Sequence, residues 1–318
     1  MRTLLIALLI CSAPALPSIS SAAGDGIDVI NNIARDYIPA PDGTLALFGY
    51  YKHIWSNRLY SGGNKVPNSP SLTGDVGIFR PVYFLELGPL IMDPQVLLPF
   101  GHFRLDDLPA PTEVVKRWEM GDPIFTATIW FVHDAPSMTW IGFTPFFTVP
   151  AGDYNREKGV NAVAGNRWKF QEELGIVKGF SVMPGHPLYL ELQLAGIFQT
   201  NNDNATNPNT GVKDTKETDP IFKLESHVSY DLTKSLFVSA DYYFATGGKD
   251  SFNGHDVPDS RLQYHTVGGT LSFNALPNLQ LLLQYTHDFG VKNGFESQVV
   301  LFRLLYVTDL GANIRRLK

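Results

Sequence analysis

The chain has 318 residues, 44% of them hydrophobic and 18% charged, with a formal net charge of −6. The acidic balance and the lack of any basic patch exclude a nucleic-acid binder. No internal run approaches the ~18 to 20 apolar residues of a membrane helix, which leaves soluble folds and membrane barrels, whose strands show lipid only alternate residues.

The first residues read as a secretory leader. Arg2 supplies the positive charge, Leu4 to Cys11 the apolar stretch and Ser21-Ala22-Ala23 a small-residue cleavage site, so the mature chain is expected to start after Ala23. Bulky Ile10 argues against a lipoprotein anchored at Cys11. Cys11 is the sole cysteine and leaves with the leader, taking disulfide and thiol chemistry with it. Arg2 leaves too, one positive charge fewer, so −6 becomes −7. The compartment is then periplasm, outer membrane or outside.

Asp25 to Pro41 is not strand-like. Residues 24–43 read as an N-terminal periplasmic segment or a plug ahead of the first strand. Segments of strand length follow near 44–55, 75–87, 95–104, 122–133, 139–149, 168–178, 188–199, 221–231, 235–246, 262–274, 279–289 and 297–307. The pattern is clearest from Ile221 to Phe244. Phe222, Leu224, Val228 and Tyr230 alternate with Lys223, Glu225, His227 and Ser229; past a short break at 231–234 the alternation resumes to Phe244. A period of two means strands.

A soluble sandwich and a membrane barrel both show such a pattern, and the connections separate them. Long polar ones near 56–74, 105–121, 150–167, 200–220 and 247–261 alternate with tight ones near 88–94, 134–138, 179–187, 232–234 and 275–278. Only 290–296 is short on the long side. Twelve antiparallel strands with long loops at one end describe an outer-membrane β-barrel, all-β, over 44–307, followed by a tail at 308–318. The loop Asn201 to Asp219 has no apolar period and is expected to be mobile and extracellular.

Several phrases carry a family resemblance. Asp36-Tyr37-Ile38-Pro39 and Gly43 come first, then Gly121-Asp122-Pro123. Gly152-Asp153-Tyr154 leads to Asn166-Arg167-Trp168, Phe170 and Glu173-Leu174-Gly175; Tyr242-Tyr243 and Gly247-Gly248 come last. In order and spacing these resemble the outer-membrane family of MetA-pathway phenol-degradation proteins, also called SphA-like transporters, over about 35 to 307. The resemblance implies a Gram-negative outer-membrane channel that admits small, often aromatic or hydrophobic compounds. It also implies contact with outer-membrane lipid and lipopolysaccharide, and insertion by the barrel-assembly machinery. A terminal aromatic residue is missing, since the chain runs past Tyr306 to Lys318.

Placing the apolar rows on lipid assigns the lumen, because a charge facing lipid costs up to ~2–4 kcal/mol at the midplane. The residues expected to guide solute or form a constriction are Arg80 and Glu86, then Asp122, then Lys169 and Glu173 on the sixth strand. Glu191 follows on the seventh, Lys223 and Glu225 on the eighth, Asp241 on the ninth and Arg303 on the twelfth. Glu172 fits the pattern badly and suggests a bulge or an interface position. Inward Phe237, Tyr243 and Tyr189 read chiefly as filler. Trp55, Trp130, Trp140 and Trp168 read as an interfacial girdle.

Two other function classes are weighed. Glu225, His227 and Ser229 share one face and are the residue types of a hydrolytic triad, and a His-x-Ser pair is similar to one in lipid A deacylases. Tyr285-Thr286-His287-Asp288 is faintly similar to the histidine phrase of outer-membrane phospholipase A, but Phe289 stands where that phrase has serine. No oxyanion hole is visible and alternating polar residues are expected on a lumen face, so a non-enzyme is the reading, with no cofactor and no metal. The other class is a closed structural or receptor barrel, which would be marked by the N-terminal segment or the 150–167 loop bridging the lumen.

Overall fold

The computed structural model describes residues 31–106, 118–208 and 210–309. The leader at 1–23 and tail residues 310–318 lie outside the described residues.

Twelve long strands form the wall. They are β1 (Thr44–Ser56), β2 (Ser71–Tyr83), β3 (Leu90–Asp106), β4 (Ile124–Asp134), β5 (Thr139–Thr148) and β6 (Lys169–Met183), then β7 (His186–Gln199), β8 (Ile221–Thr233), β9 (Leu236–Gly247), β10 (Leu262–Leu276), β11 (Leu279–Phe289) and β12 (Gln298–Asp309). Each pairs antiparallel with its sequence neighbours, and β12 returns to β1 from Thr44↔Asp309 to Trp55↔Gln298. Closure leaves the sheet without two free edges, so the paired backbone groups of the wall need no water.

The tight turns are shorter than the sequence suggested. β3 begins at Leu90, and Leu85–Leu87 pairs with it, so only Gly88 and Pro89 make that turn. The β6–β7 turn is Pro184-Gly185, with φ of 79° at the glycine, a conformation that favours glycine. Register shifts sit beside several of these turns, at Ser181/Met183, Asp231/Thr233 and Asn274/Leu276. Such bulges add twist where strands enter a turn.

The outward rows are apolar, as the alternation requires. Leu190, Leu192 and Leu194 are exposed on β7, Phe222 and Val228 on β8, Phe302 and Leu304 on β12. Glu172 sits in regular register between Pro145 and Gly196, with no bulge, three residues below the extracellular end of β6. Its place is therefore interfacial.

The long loops are more ordered than their polarity suggested. The loop Asn201 to Asp219 forms two strands, Asn202–Thr206 and Lys213–Thr218, in a sheet with Asp250–Phe252 and His255–Asp256. Its polar residues serve as cross-strand partners. Asn207 Nδ2, for example, donates to Asp214 Oδ2 at 2.9 Å. Short backbone pairings also join Leu59–Ser61 to Gly294–Phe295.

Candidate functional site

The lumen holds the N-terminal segment. Residues 31–41 enter from the tight-turn end, where Gly43 N donates to the Phe84 carbonyl at 3.0 Å, and rise into the barrel. The segment bridges the lumen from wall to wall. On one side Arg35 N donates to both oxygens of Glu191 at 2.8 and 2.9 Å. On the other, Asp36 Oδ1 accepts from Arg303 at 2.7 Å and its Oδ2 lies 3.7 Å from Arg80.

Residues 32–37 of the segment have fitted seats. Asn32 donates from N to Glu225 Oε2 at 2.8 Å and from Nδ2 to Glu173 Oε1 at 2.8 Å, while its carbonyl accepts from Tyr243 Oη at 3.1 Å. Ile33 and Ala34 pack on Phe237, Leu282 and Leu301. The Arg35 guanidinium lies between the rings of Phe237 and Tyr189, 4.0 and 4.7 Å from their centroids, and pairs with Asp231 at 2.6 Å. Tyr37 Oη donates to Glu173 Oε1 at 2.7 Å, and its carbonyl accepts from Trp130 Nε1 at 2.9 Å. The Tyr37 ring lies flat against the backbone of Gly175, where any Cβ would run into it. Arg35 has φ of 75°, a left-handed conformation that costs a non-glycine residue about 1–3 kcal/mol. Its contacts to Glu191, Ser229 and Asp231 hold it there.

Above the segment lies a cavity of about 260 Å³. Asn31 and Asn32 form part of its floor; Ile54, Leu72, Phe103 and Ile124 line one side, and Gln171, Tyr243 and Gln284 another. The 149–168 loop folds inward over it. Ala162, Val163 and Ala164 are buried, and Val163 joins an apolar cluster with Leu72, Phe103 and Ile124.

The structure brings most of the expected lumen residues into this arrangement. Glu173, Glu191, Glu225, Arg80 and Arg303 contact the inserted segment, and Lys223 bonds Asn31 Oδ1 and sits 3.3 Å from Glu225. Lys169 lines the cavity. Asp241 accepts from His227 Nδ1 at 2.8 Å, Ser239 at 2.7 Å and Thr270 at 2.6 Å. Asp122 lines the cavity, but its two oxygens accept from Gly152 N at 2.9 Å and Gly165 N at 2.7 Å, so it staples the inward loop. Glu86 is a correction: it is exposed at the tip of the β2–β3 hairpin, where its N–H donates to Asp42, outside the lumen. The extra pairing of Leu85–Leu87 carries it beyond the wall.

Other residues also change role. Trp130, 0% exposed, and buried Trp140 face inward; Trp130 holds Tyr37 and Trp140 lies against Tyr189, so neither belongs to the girdle. Trp55 and Trp168 remain on the outer side, in ring contact with Tyr285 and Phe170. Phe237 and Tyr189 clasp Arg35. Glu225, His227 and Ser229 do share a face, but His227 turns to Asp241 and Ser229 Oγ accepts from Arg35 Nε at 3.1 Å. All three are at most 1% exposed. Among the described residues no group of three or more His, Cys, Asp or Glu side chains is placed to hold a metal ion. The main residues missed were Asn32 and Arg35. The signal for both was the break in alternation at 25–41, a polar stretch with no strand to join.

A solved outer-membrane channel shares this architecture. The COG4313 outer membrane channel from Pseudomonas putida F1 superposes with a TM-score of 0.79 at 24% identity, covering 87% of this chain and 100% of that one. The translocator domain of the autotransporter NalP from Neisseria meningitidis aligns at 10% identity, TM-score 0.45, over 85% of this chain and 90% of that one. A deletion mutant of the monoaromatic hydrocarbon channel TodX aligns at 9% identity, TM-score 0.43, over 85% and 91%. No curated protein matches the sequence. A closed barrel with an apolar outer belt places the chain in the outer membrane of a Gram-negative bacterium. The family model "Putative MetA-pathway of phenol degradation" matches residues 56–304, and the chain belongs to that family.

Proposed function

We propose that the protein is a passive outer-membrane channel for small aromatic or otherwise hydrophobic compounds, with the N-terminal segment as a displaceable plug. The observation that carries this reading is the cavity of about 260 Å³ above a segment held by side chains and not by the sheet. A cavity of roughly 150 Å³ is enough for benzene. Strand pairing would lock the segment; side-chain bonds and packing can exchange for water and solute. Family membership supports passage of such compounds. No chemical step is assigned, since the triad-type residues are committed to the plug and to Asp241. Partners are membrane lipid, lipopolysaccharide and the assembly machinery.

The test is single-channel conductance of the refolded mature chain in a planar bilayer, with and without phenol. Steady openings that phenol blocks are expected. A folded, heat-modifiable barrel that stays silent would overturn the channel reading. That outcome would favour the closed barrel, for which the bridging by Arg35 and Asp36 is the specific observation.

A further inference from the structure

The wall is not closed equally well all round. Proline stands inside the wall strands at 81, 94, 99 and 145, all within β2 to β5. β1, β6 and β8 to β12 have none, and β7 has one only at its second position. A proline cannot donate to a ladder, so the interior of a sheet normally excludes it. The β3–β4 seam also has the shortest ladder of the wall. It runs over seven positions, from Ile91↔Trp130 to Leu97↔Ile124, against twelve where β12 meets β1.

That ladder stops where the cavity touches the wall. Ile124 and Asp122 line the cavity, and Pro123 stands between them with Pro99 across the seam. Pairing resumes at Phe100↔Met120, one residue out of the earlier register. In the interruption Gly121 N donates to the Pro99 carbonyl at 2.9 Å, while the Pro123 carbonyl turns to β5 and accepts from Val149 N at 2.9 Å. Irregular backbone at membrane depth is tolerated where protein covers it or where it lines a cavity, and both hold here. The inward loop lies against this point: a Cβ on Gly152 would run into Gly121, Asp122 and Ala164, and Asp122 staples the loop through Gly152 N and Gly165 N. On the outside, Phe100, Trp118, Met120 and Phe125 flank the interruption and are all exposed.

We infer that the β3–β4 seam at Pro99 and Gly121 is a lateral exit, through which an apolar solute leaves the cavity sideways into lipid. The inference rests on the proposed passage of hydrophobic compounds and assigns their way out. The 149–168 loop is the gate and Asp122 its latch. With the latch undone, Val163 and Ala164 withdraw and the seam parts where prolines have already removed donors. A ladder of unbroken register, such as β7–β8, would have to give up a run of backbone bonds to lipid. By this route the solute passes from an apolar lining to an apolar medium without returning to water, and the inserted segment stays seated.

The test locks the seam. Cys11, in the expected leader, is the only cysteine, so a disulfide added to the wall meets no competing thiol. Phe100→Cys with Met120→Cys joins β3 to β4 at directly opposed outward positions, and Leu192→Cys with Ser226→Cys does the same for β7 and β8 as a control. The readouts are entry of N-phenyl-1-naphthylamine, a neutral dye that fluoresces in lipid, into cells carrying the full chain, and single-channel conductance. With the β3–β4 disulfide formed, dye entry should fall to that of cells without the protein and return on reduction, while conductance is unchanged. The control disulfide should alter neither. Undiminished dye entry through the locked β3–β4 seam would overturn the lateral exit yet leave passage standing. Absence of dye entry through the wild type, together with no block of conductance by phenol, would sink the passage reading itself. Hydrogen exchange of the wild type decides the matter where the paired variant does not fold. The backbone amides at 96–98 and 124–125 should exchange faster than those at 190–194, and equal protection would overturn the exit.

Discussion

The two walls of the lumen follow different rules. Strands β6 to β9 present Gln171, Glu173, Glu191, Gln193, Glu225, His227 and Asp241 inward, all buried. Strands β1 to β5 present Ile54, Leu72, Val76, Ile78, Leu97, Phe103, Ile124 and Phe146 inward towards their extracellular ends, with Asp93, Gln95, Thr126, Thr128 and Thr144 inward as well. A lumen face need not be polar where other elements cover it, and here Leu59, Val163 and Phe295 from the loops close over those apolar strands. On the polar wall most residues answer to a named partner, Gln193 being an exception, while on the apolar wall stability comes from area and fit. The first kind of wall can grip a segment and release it; the second can hold an apolar ring.

Exchanging the rules should break the comparison most visibly at Val76, which is 0% exposed in the apolar cluster. Val76→Gln buries an amide without a partner and adds volume, each costing about 1–3 kcal/mol. The urea midpoint of the heat-modifiable form should drop accordingly. A loss below ~1 kcal/mol would mean that this wall is wet, and the contrast between the walls would be gone.

The grip of the polar wall is tested next at Gly175. Gly175→Val forces the Tyr37 ring off the β6 backbone and draws its hydroxyl from Glu173 and Thr144. Overpacking of this kind costs about 1–3 kcal/mol, which shifts the plugged-to-open ratio by roughly 5- to 150-fold. Open probability in a planar bilayer should rise by that order. Unchanged openings with an intact barrel would show that Tyr37 does not anchor the plug.

A smaller effect is expected at Gln193, which is 1% exposed and has no protein partner for either amide atom. Gln193→Leu should leave the urea midpoint unchanged or raise stability by up to ~1 kcal/mol, since an unbonded polar group gives way to an apolar one of similar size. A loss above ~2 kcal/mol would show that this amide is bonded through water and belongs to the working network.

The same contrast explains what could be read from the sequence. Alternation was clean on β7, β8 and β11, so the inward set there, Glu191, Lys223 and Glu225 included, followed from periodicity alone. On β2 and β4 both faces are largely apolar: Ile78 and Val82 point inward, Phe79 and Tyr83 outward, and Trp130 inward beside outward Phe131. Periodicity has no contrast to report there, which is how Trp130 and Trp140 came to be placed on the girdle. The seat of the inserted segment was hidden for another reason. Asn32 and Glu225 are 193 positions apart, and no local pattern encodes their meeting. The break in alternation at 25–41 and a row of inward carboxylates with fewer inward cations were the hints that something else enters the lumen.

Above the membrane, the loops that continue the polar side of the barrel make the weakest test. Asp214 lies in the extracellular sheet, where Asn207 Nδ2 donates to one oxygen and Thr215 N and Asn253 Nδ2 to the other. The bond from Asn207, aided by the other two, holds the carboxyl below its ordinary value. A carboxyl lowered on folding stabilises the sheet in full above its unfolded pKa of about 3.9, and that contribution disappears as pH falls through the lower folded value. Hydrogen-exchange protection of residues 213–218 should therefore decline as pH falls below about 4, while the Leu72 and Val76 amides keep theirs. Asp214→Asn keeps the shape and removes the charge, so at neutral pH it should match the acidified wild type over 213–218. Equal decline in both regions would mean that acid loosens the barrel as a whole, and the two walls would then respond to pH as one body.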